Sequence, residues 1–308
     1  MNFLKLIRFQ NLLLIAIMLT VFRYLFLKKV VVLSNETVFA LSNTNFILLV
    51  FAVVLIAAGG YIINNINDQE ADEISNKRIV GTLISEETAY NSYMFLTITG
   101  VSLGFFISNS INKPSYLSVF IIVAALLYSY ATTLKKIPFV KNIVVSILVV
   151  ISLFILPIFD LIPMININTI TLINELFDVF LQYGIFLFIV TLIREIVKDI
   201  EDEQADYSVG IATLPIIFGR KKTAYFLLGL TVLLAVLLVI FLKNNLFHNN
   251  YVILYFLFGI LAPLVFFGIK IVAATTTKEF KQLSLLLKIV MLLGIFSIAI
   301  ITHSITNA

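Results

Sequence analysis

The feature that most constrains this chain is a succession of apolar stretches, each long enough to cross a lipid bilayer. A spanning helix needs about 20 predominantly apolar residues. Nine stretches of that kind follow one another, at 9–28, 44–64, 88–108, 114–133, 143–163, 177–197, 222–242, 251–271 and 283–302. Hydrocarbon offers no water to a peptide group, so a lone stretch satisfies its own N–H and C=O groups only as a helix. The composition leaves no soluble alternative: 61% of the 308 residues are hydrophobic and 12% are charged, against about 25% charged in ordinary soluble domains. The expected fold class is an all-α integral membrane protein of nine transmembrane helices, forming a single domain over 1–308. Lys5 and Arg8 precede the first stretch as they would in a signal peptide. That stretch is too long for a signal core, is followed by no small-residue cleavage site and carries Arg23 near its end, so it reads as the first helix.

Charge then fixes an orientation. With connections alternating between the two sides, only Arg23, Lys28, Lys29, Lys113 and Lys243 fall opposite the N-terminus, which leaves 16 of the 21 Lys and Arg on its side. The positive-inside rule puts the N-terminus inside and the end of the chain at Ala308 outside. Arg220, Lys221 and Lys222 read as topology determinants, and the net charge of +4 gives no reason to expect a nucleic-acid partner. The 17 acidic residues are unevenly spread: Asp68, Glu70, Asp72, Glu73, Glu86 and Glu87 form one group, and Glu195, Asp199, Glu201, Asp202, Glu203 and Asp206 another. Both lie on the cation-rich inner face. Asp160, Glu175 and Asp178 lie toward the outer face and receive no catalytic role.

The two acidic groups are near-copies. DQEAD at 68–72 superimposes on DEQAD at 202–206 with an offset of 134 residues, Asp68 on Asp202 and Asp72 on Asp206. Each copy follows an apolar stretch and precedes Gly81–Leu83 or Ala212–Leu214, then another apolar stretch. Two pseudo-repeat halves are expected, an arrangement that commonly places a functional site at their interface. Gly59 and Gly60, ahead of the first copy, read as positions of close helix packing.

On a continuous helix Asn64, Asp68 and Asp72 share one stripe, and Asp199, Asp202 and Asp206 share another. Carboxylates so arranged repel one another unless cations lie between them. Hard oxygen donors suit Mg²⁺, which combines one or two carboxylates with water and phosphate oxygens. Zinc is not expected, because the chain has no cysteine and only His248 and His303 as imidazoles. Lys77, Arg78, Lys135, Lys136, Arg194 and Lys198 lie nearby in sequence on the same face, and such groups grip phosphate oxygens. A polyprenyl diphosphate, its tail among apolar helices, meets all of these requirements. An ion-coupled transporter is the remote alternative, since intramembrane acids mark ion pathways, but here the acids gather at helix ends. A phosphotransferase acting on nucleotide-activated alcohols would carry one motif with Gly and Arg at fixed places, which this chain lacks.

The segment Asn64 to Asp72 resembles the NDxxDxxxD signature of the UbiA superfamily of intramembrane prenyltransferases, with Asn65 in place of its first Asp. REIVKDIEDEQAD at 194–206, followed by Gly210 and Thr213-Leu214-Pro215, is similar to that superfamily's second Asp-rich motif. The resemblance spans nearly the whole chain, including Arg8 and Asn11 and the run YSYATTLKKIPFVKN at 128–142. It implies nine helices around a central cavity with a cytoplasmic cap, in the inner membrane of a bacterium or archaeon, with the active site facing the cytoplasm. It implies Mg²⁺ held by Asn64, Asp68, Asp72, Asp199, Asp202 and Asp206. Arg78, Lys135 and Lys198, with Arg194 and Asn11, would bind diphosphate, and either Tyr128 or Tyr130 would stand near the reacting carbon. The partners it implies are a polyprenyl diphosphate donor, a lipophilic acceptor and membrane lipids, with no obligate protein partner. The motif wording favours geranylgeranylglyceryl phosphate as acceptor, the alternative being an aromatic acceptor of quinone or pigment synthesis.

Overall fold

In the computed structural model, residues 2–34, 39–75, 77–245 and 250–306 are described; His248 and Ala308 lie outside them. Among the described residues the chain is helical with no β-strand, apart from one isolated bridge between Val80 and Ile84. Eight helices are long and apolar enough to span a membrane: Asn43–Asn67, Glu86–Ser110, Pro114–Thr132, Val140–Met164, Ile170–Glu201, Arg220–Lys243, Asn250–Ala273 and Thr277–Ser304. They coincide with the second to ninth apolar stretches. The first stretch is helical too, but in three pieces, because π-helical Phe22–Leu27 separates Phe9–Val21 from Lys28–Ser34. Helical backbone nonetheless continues from 9 to 34, as it does through π-helical Leu257–Leu261 within Asn250–Ala273.

The chain forms two compact units, each discontinuous in sequence. The first comprises Met1–Leu19, Glu36–Lys141 and Ile151–Phe180, and the second Thr20–Asn35, Asn142–Val150 and Leu181–Ala308. In the first unit, Asn43–Asn67 packs on both Glu86–Ser110 and Leu117–Thr132. Small residues set that approach: a Cβ at Gly59 would stand 2.5 Å from Thr97 Oγ1, and one at Gly60 would stand 2.7 Å from Leu127 Cδ2. The close packing expected at these two glycines is therefore present. Asp160 is fully buried and structural: its Oδ1 accepts from the Leu41 N–H at 2.9 Å, and its carbonyl accepts from the Ala40 N–H at 2.9 Å.

In the second unit, Arg220–Asn245 packs on Ala262–Ala273, and Thr277–Thr306 packs against both Ala262–Ala273 and the π-helical segment. A buried Tyr183–Ser297 hydroxyl contact of 2.6 Å ties the Ile170 helix to the last helix. Ile170–Glu201 has 32 residues, about 48 Å at 1.5 Å per residue. That exceeds a hydrocarbon core of about 30 Å, so the helix is longer than one crossing needs.

Candidate active site

The first Asp-rich motif lies in the first unit, and there the helix does not run on as a continuous stripe. Asn43–Asn67 ends, Asp68 turns to φ −101° and ψ 8°, and a short helix begins at Gln69–Ile74. A run of amides answers the carbonyls at this end. Asn65 Nδ2 donates to the Tyr61 carbonyl at 2.8 Å, Asn67 Nδ2 to Ile63 at 2.8 Å and Gln69 Nε2 to Ile66 at 3.2 Å. Side-chain amides of this kind compete with the backbone for carbonyls at a helix end. The chain bends without breaking, since the Asp72 N–H still donates to the Asp68 carbonyl at 2.8 Å.

The second motif repeats the bend. Ile170–Glu201 ends, Asp202 takes φ −98° and ψ 7°, and Glu203–Ser208 follows. The Asp206 N–H donates to the Asp202 carbonyl at 3.0 Å. One step further on, Lys77 N–H to Asp72 C=O at 2.7 Å is matched by Ile211 N–H to Asp206 C=O at 2.9 Å. The sequence repeat is therefore a repeat of backbone hydrogen bonds, and it corrects both straight stripes to bent ones.

Side chains complete the first motif. Lys135 Nζ donates to Asp68 Oδ1 at 2.5 Å, and Asn64 Nδ2 donates to Asp68 Oδ2 at 2.5 Å. Lys135 is buried on the 3₁₀ turn Leu134–Lys136, which follows the Leu117–Thr132 helix. The Asn64 Oδ1 atom is buried and lacks a hydrogen-bond partner. Arg78, expected at the diphosphate, is wired into its own loop, with Nη1 on Glu73 at 2.5 Å, Nη2 on Gln69 at 3.0 Å and Nε on the Val80 carbonyl at 3.0 Å. Gly81 is required beside it, because its φ is +82° and a Cβ there would stand 2.6 Å from Arg78 Nη2.

In the second motif Asp199 is buried and its Oδ2 accepts from Asn142 Nδ2 at 2.9 Å. Asn142 Oδ1, like that of Asn64, is buried without a partner. Arg194 and Lys198 both engage Glu195 Oε1, at 3.1 and 2.5 Å. Arg220 Nε donates to Glu203; Glu203 is the residue that aligns with Gln69, so each short helix has its first residue tied down by a downstream arginine. Arg220 thus has a structural partner beyond its expected role in topology. Asn142 entered the sequence analysis only as the last residue of the run at 128–142, with no role in the site.

Asn11 Nδ2 donates to the Tyr61 hydroxyl at 3.3 Å, and the Arg8 guanidinium lies 5.3 Å from the centre of the Tyr61 ring. Tyr61 lies one helical turn before Asn64 and Asn65, so these N-terminal residues meet the first motif's own helix. Tyr128 is exposed and Tyr130 is half-buried on Leu117–Thr132. Two residues apart, they point about 200° away from each other around the helix, so only one of them can face a given reacting carbon.

Among the described residues, no three His, Cys, Asp or Glu side chains converge as a metal-binding group. The physical reason at the first motif is that the Asp68 carboxylate is turned onto Lys135 and Asn64. The donor set nonetheless fits Mg²⁺: it consists of hard oxygens, and it includes two buried amide oxygens, on Asn64 and Asn142, that no donor satisfies.

Residues 21–290 match the model of the UbiA prenyltransferase family. The chain belongs to this family. Membership makes it an integral membrane enzyme that transfers prenyl groups. It is similar to the digeranylgeranylglyceryl phosphate synthase of Methanobrevibacter smithii, 29% identical over 265 residues covering 84% of this chain and 88% of that one. It is likewise similar to that of Methanosphaera stadtmanae, 31% identical over 253 residues covering 80% and 84%. Among solved structures, a digeranylgeranylglyceryl phosphate synthase superimposes with a TM-score of 0.63 at 23% identity over 98% of both chains. A UbiA homologue from Archaeoglobus fulgidus bound to DMAPP and Mg²⁺ gives 0.56 at 12% identity, over 97% of this chain and 100% of that one. These structural likenesses establish the UbiA fold. Within that fold Asn65, where the family signature has its first Asp, is buried and donates to the Tyr61 carbonyl at 2.8 Å and the Leu6 carbonyl at 3.4 Å. It serves the helix end.

Proposed function

We propose that this UbiA prenyltransferase is Mg²⁺-dependent and transfers a geranylgeranyl group from its diphosphate to geranylgeranylglyceryl phosphate, at the cytoplasmic face of the membrane. The observation that carries the acceptor is that the relatives aligned over four-fifths of the chain or more are digeranylgeranylglyceryl phosphate synthases. Asp68 and Asp72 with Asn64 in the first motif, and Asp199, Asp202 and Asp206 in the second, would hold Mg²⁺. Bound Mg²⁺ supplies Lewis acidity, drawing electron density onto the diphosphate oxygens.

The chain's own residues do the rest. Lys135 and Lys198 bind the diphosphate as it gains charge, joined by Arg194, Asn11 and Arg78 once these release their present partners. The allylic C–O bond of the donor breaks and its electron pair leaves with diphosphate. Tyr128 or Tyr130 offers an aromatic face to the cationic carbon. The glycerol hydroxyl of the acceptor forms the new C–O bond and releases its proton, while Arg8 or Arg194 balances the acceptor's phosphate. Apolar helices exclude the water that would otherwise capture the carbocation.

The test is to incubate purified protein with geranylgeranyl diphosphate, Mg²⁺ and a panel of acceptors, including geranylgeranylglyceryl phosphate and 4-hydroxybenzoate, and to identify the product by mass. The expected product is the diether phosphate. A product formed only on the aromatic acid overturns the acceptor. Orientation is checked separately: a reporter fused after Ala308 should report the external side.

A further inference from the structure

Lys135 and Asp68 are 67 residues apart in sequence, yet their side chains form a close ion pair of 2.5 Å, with the lysine side chain 8% and the aspartate side chain 22% exposed. Both carboxylate oxygens are occupied, Oδ1 by the ammonium and Oδ2 by the Asn64 amide. The lysine is held by more than its side chain: it sits in a tight turn closed by Lys136 N–H to Thr133 C=O at 3.2 Å and Ile137 N–H to Leu134 C=O at 3.1 Å. An ammonium on Oδ1 stands where a metal bound to Asp68 would have to approach.

We propose that Lys135 is a resident counter-ion of Asp68 that makes metal binding and diphosphate binding conditional on each other; this rests on the diphosphate reading above. A divalent cation arriving alone must displace a buried ammonium and leave it without a counter-charge, which is strongly unfavourable. A diphosphate arriving alone must draw Lys135 away and leave Asp68 uncompensated. When the two arrive together the partners exchange: the metal takes Asp68, the diphosphate takes Lys135, and no charge is left unpaired. Because the coupling is a property of one thermodynamic cycle, each ligand must strengthen the other by the same factor. Lys135 is here a positioning residue for the metal as well as a ligand of the diphosphate.

The experiment uses the full-length protein in nanodiscs, with Mn²⁺ as a paramagnetic probe titrated by electron paramagnetic resonance and inorganic pyrophosphate as the anion. In the wild type, pyrophosphate should tighten Mn²⁺ binding. Lys135→Gln should bind Mn²⁺ alone about tenfold more tightly than wild type, and pyrophosphate should then add little. Lys135→Arg, which keeps the cation, should follow the wild type. In the reciprocal arm, Asp68→Asn should bind radiolabelled pyrophosphate in EDTA about tenfold more tightly than wild type, and this arm stands even if Lys135→Gln does not fold. If wild type binds Mn²⁺ with pyrophosphate but neither variant gains affinity for the single ligand, the counter-ion role is overturned and the diphosphate reading stands. If wild type binds no Mn²⁺ even with pyrophosphate, both are overturned.

Discussion

Asp68 and Asp202 occupy the same bend in two different units of the molecule, and the comparison shows what a duplicated motif keeps. Their backbone angles agree closely, −101° and 8° against −98° and 7°, and each carbonyl accepts from the N–H four residues on. In the first motif a buried lysine neutralises Asp68; in the second, the amide of Asn142 holds Asp199, while Arg194 and Lys198 share Glu195. The bend is retained because it decides where the carboxylates point. Lys135 and Asn142, which meet Asp68 and Asp199, come from other parts of the chain. What both motifs share is an asparagine whose N–H₂ group holds a motif carboxylate and whose oxygen is buried without a donor.

The sharpest way to break this comparison is to remove one aspartate at a time. Asp68→Ala and Asp202→Ala should each lower transfer from radiolabelled geranylgeranyl diphosphate by about a hundredfold or more, the scale on which a lost charge-stabilising group is felt. Membrane insertion should be unchanged. Near-normal activity in either variant would mean that the two bends are alike only in backbone. The asparagines come next. Asn64→Ala and Asn142→Ala should each cost about tenfold in activity and in apparent Mg²⁺ affinity, as groups that orient metal ligands do. A silent Asn142→Ala would leave the second motif without its shared feature. The smallest effects are expected at the arginines that tie down the short helices. Arg78→Ala and Arg220→Ala remove partly exposed ion pairs worth about 0.2–1 kcal/mol each. They should speed limited proteolysis after each motif; Arg220→Ala should change KM for the prenyl diphosphate by less than about threefold, because 1.4 kcal/mol would be needed for a factor of ten, whereas Arg78→Ala also loses a diphosphate ligand and should raise KM by about threefold or more. An unchanged KM for Arg78→Ala would take Arg78 away from the diphosphate.

Much of the fold was legible because hydrocarbon demands long apolar helices, and eight of the nine stretches reappear as such. The first reappears as continuous helical backbone, widened at π-helical Phe22–Leu27, which includes Arg23 at 1% exposure; Asn250–Ala273 is widened in the same way at Leu257–Leu261, and no hydropathy pattern announces either turn. The acidic motifs were legible as a repeat, but their shape was not. Spacing of four residues favours a straight helix on paper, whereas Asn65, Asn67 and Gln69 turn their amides back onto the carbonyls before them. The asparagine-rich run marks the first bend alone, since the second forms with Asp199, Glu201 and Glu203 at the matching positions. Contacts between distant positions, Lys135 with Asp68 and Asn142 with Asp199, depend on which helices lie side by side. Of these, Lys135 was reached as an inner-face cation and through family resemblance, and Asn142 only as the last residue of the run at 128–142, with no role in the site.

The bends also have an electrical consequence. Peptide dipoles along a helix sum to about half a negative elementary charge at its C-terminal end. Asn43–Asn67 and Ile170–Glu201 each discharge that end at an aspartate, Asp68 and Asp202. A straight helix running through either motif would carry its negative pole several residues onward, past the carboxylate. Each aspartate also opens the short helix that follows, whose positive N-terminal pole meets the same point, so two opposed backbone fields act on one carboxylate. Cation affinity at each aspartate is thereby set partly by where a helix ends, a contribution that substitution of the carboxylate alone would leave in place.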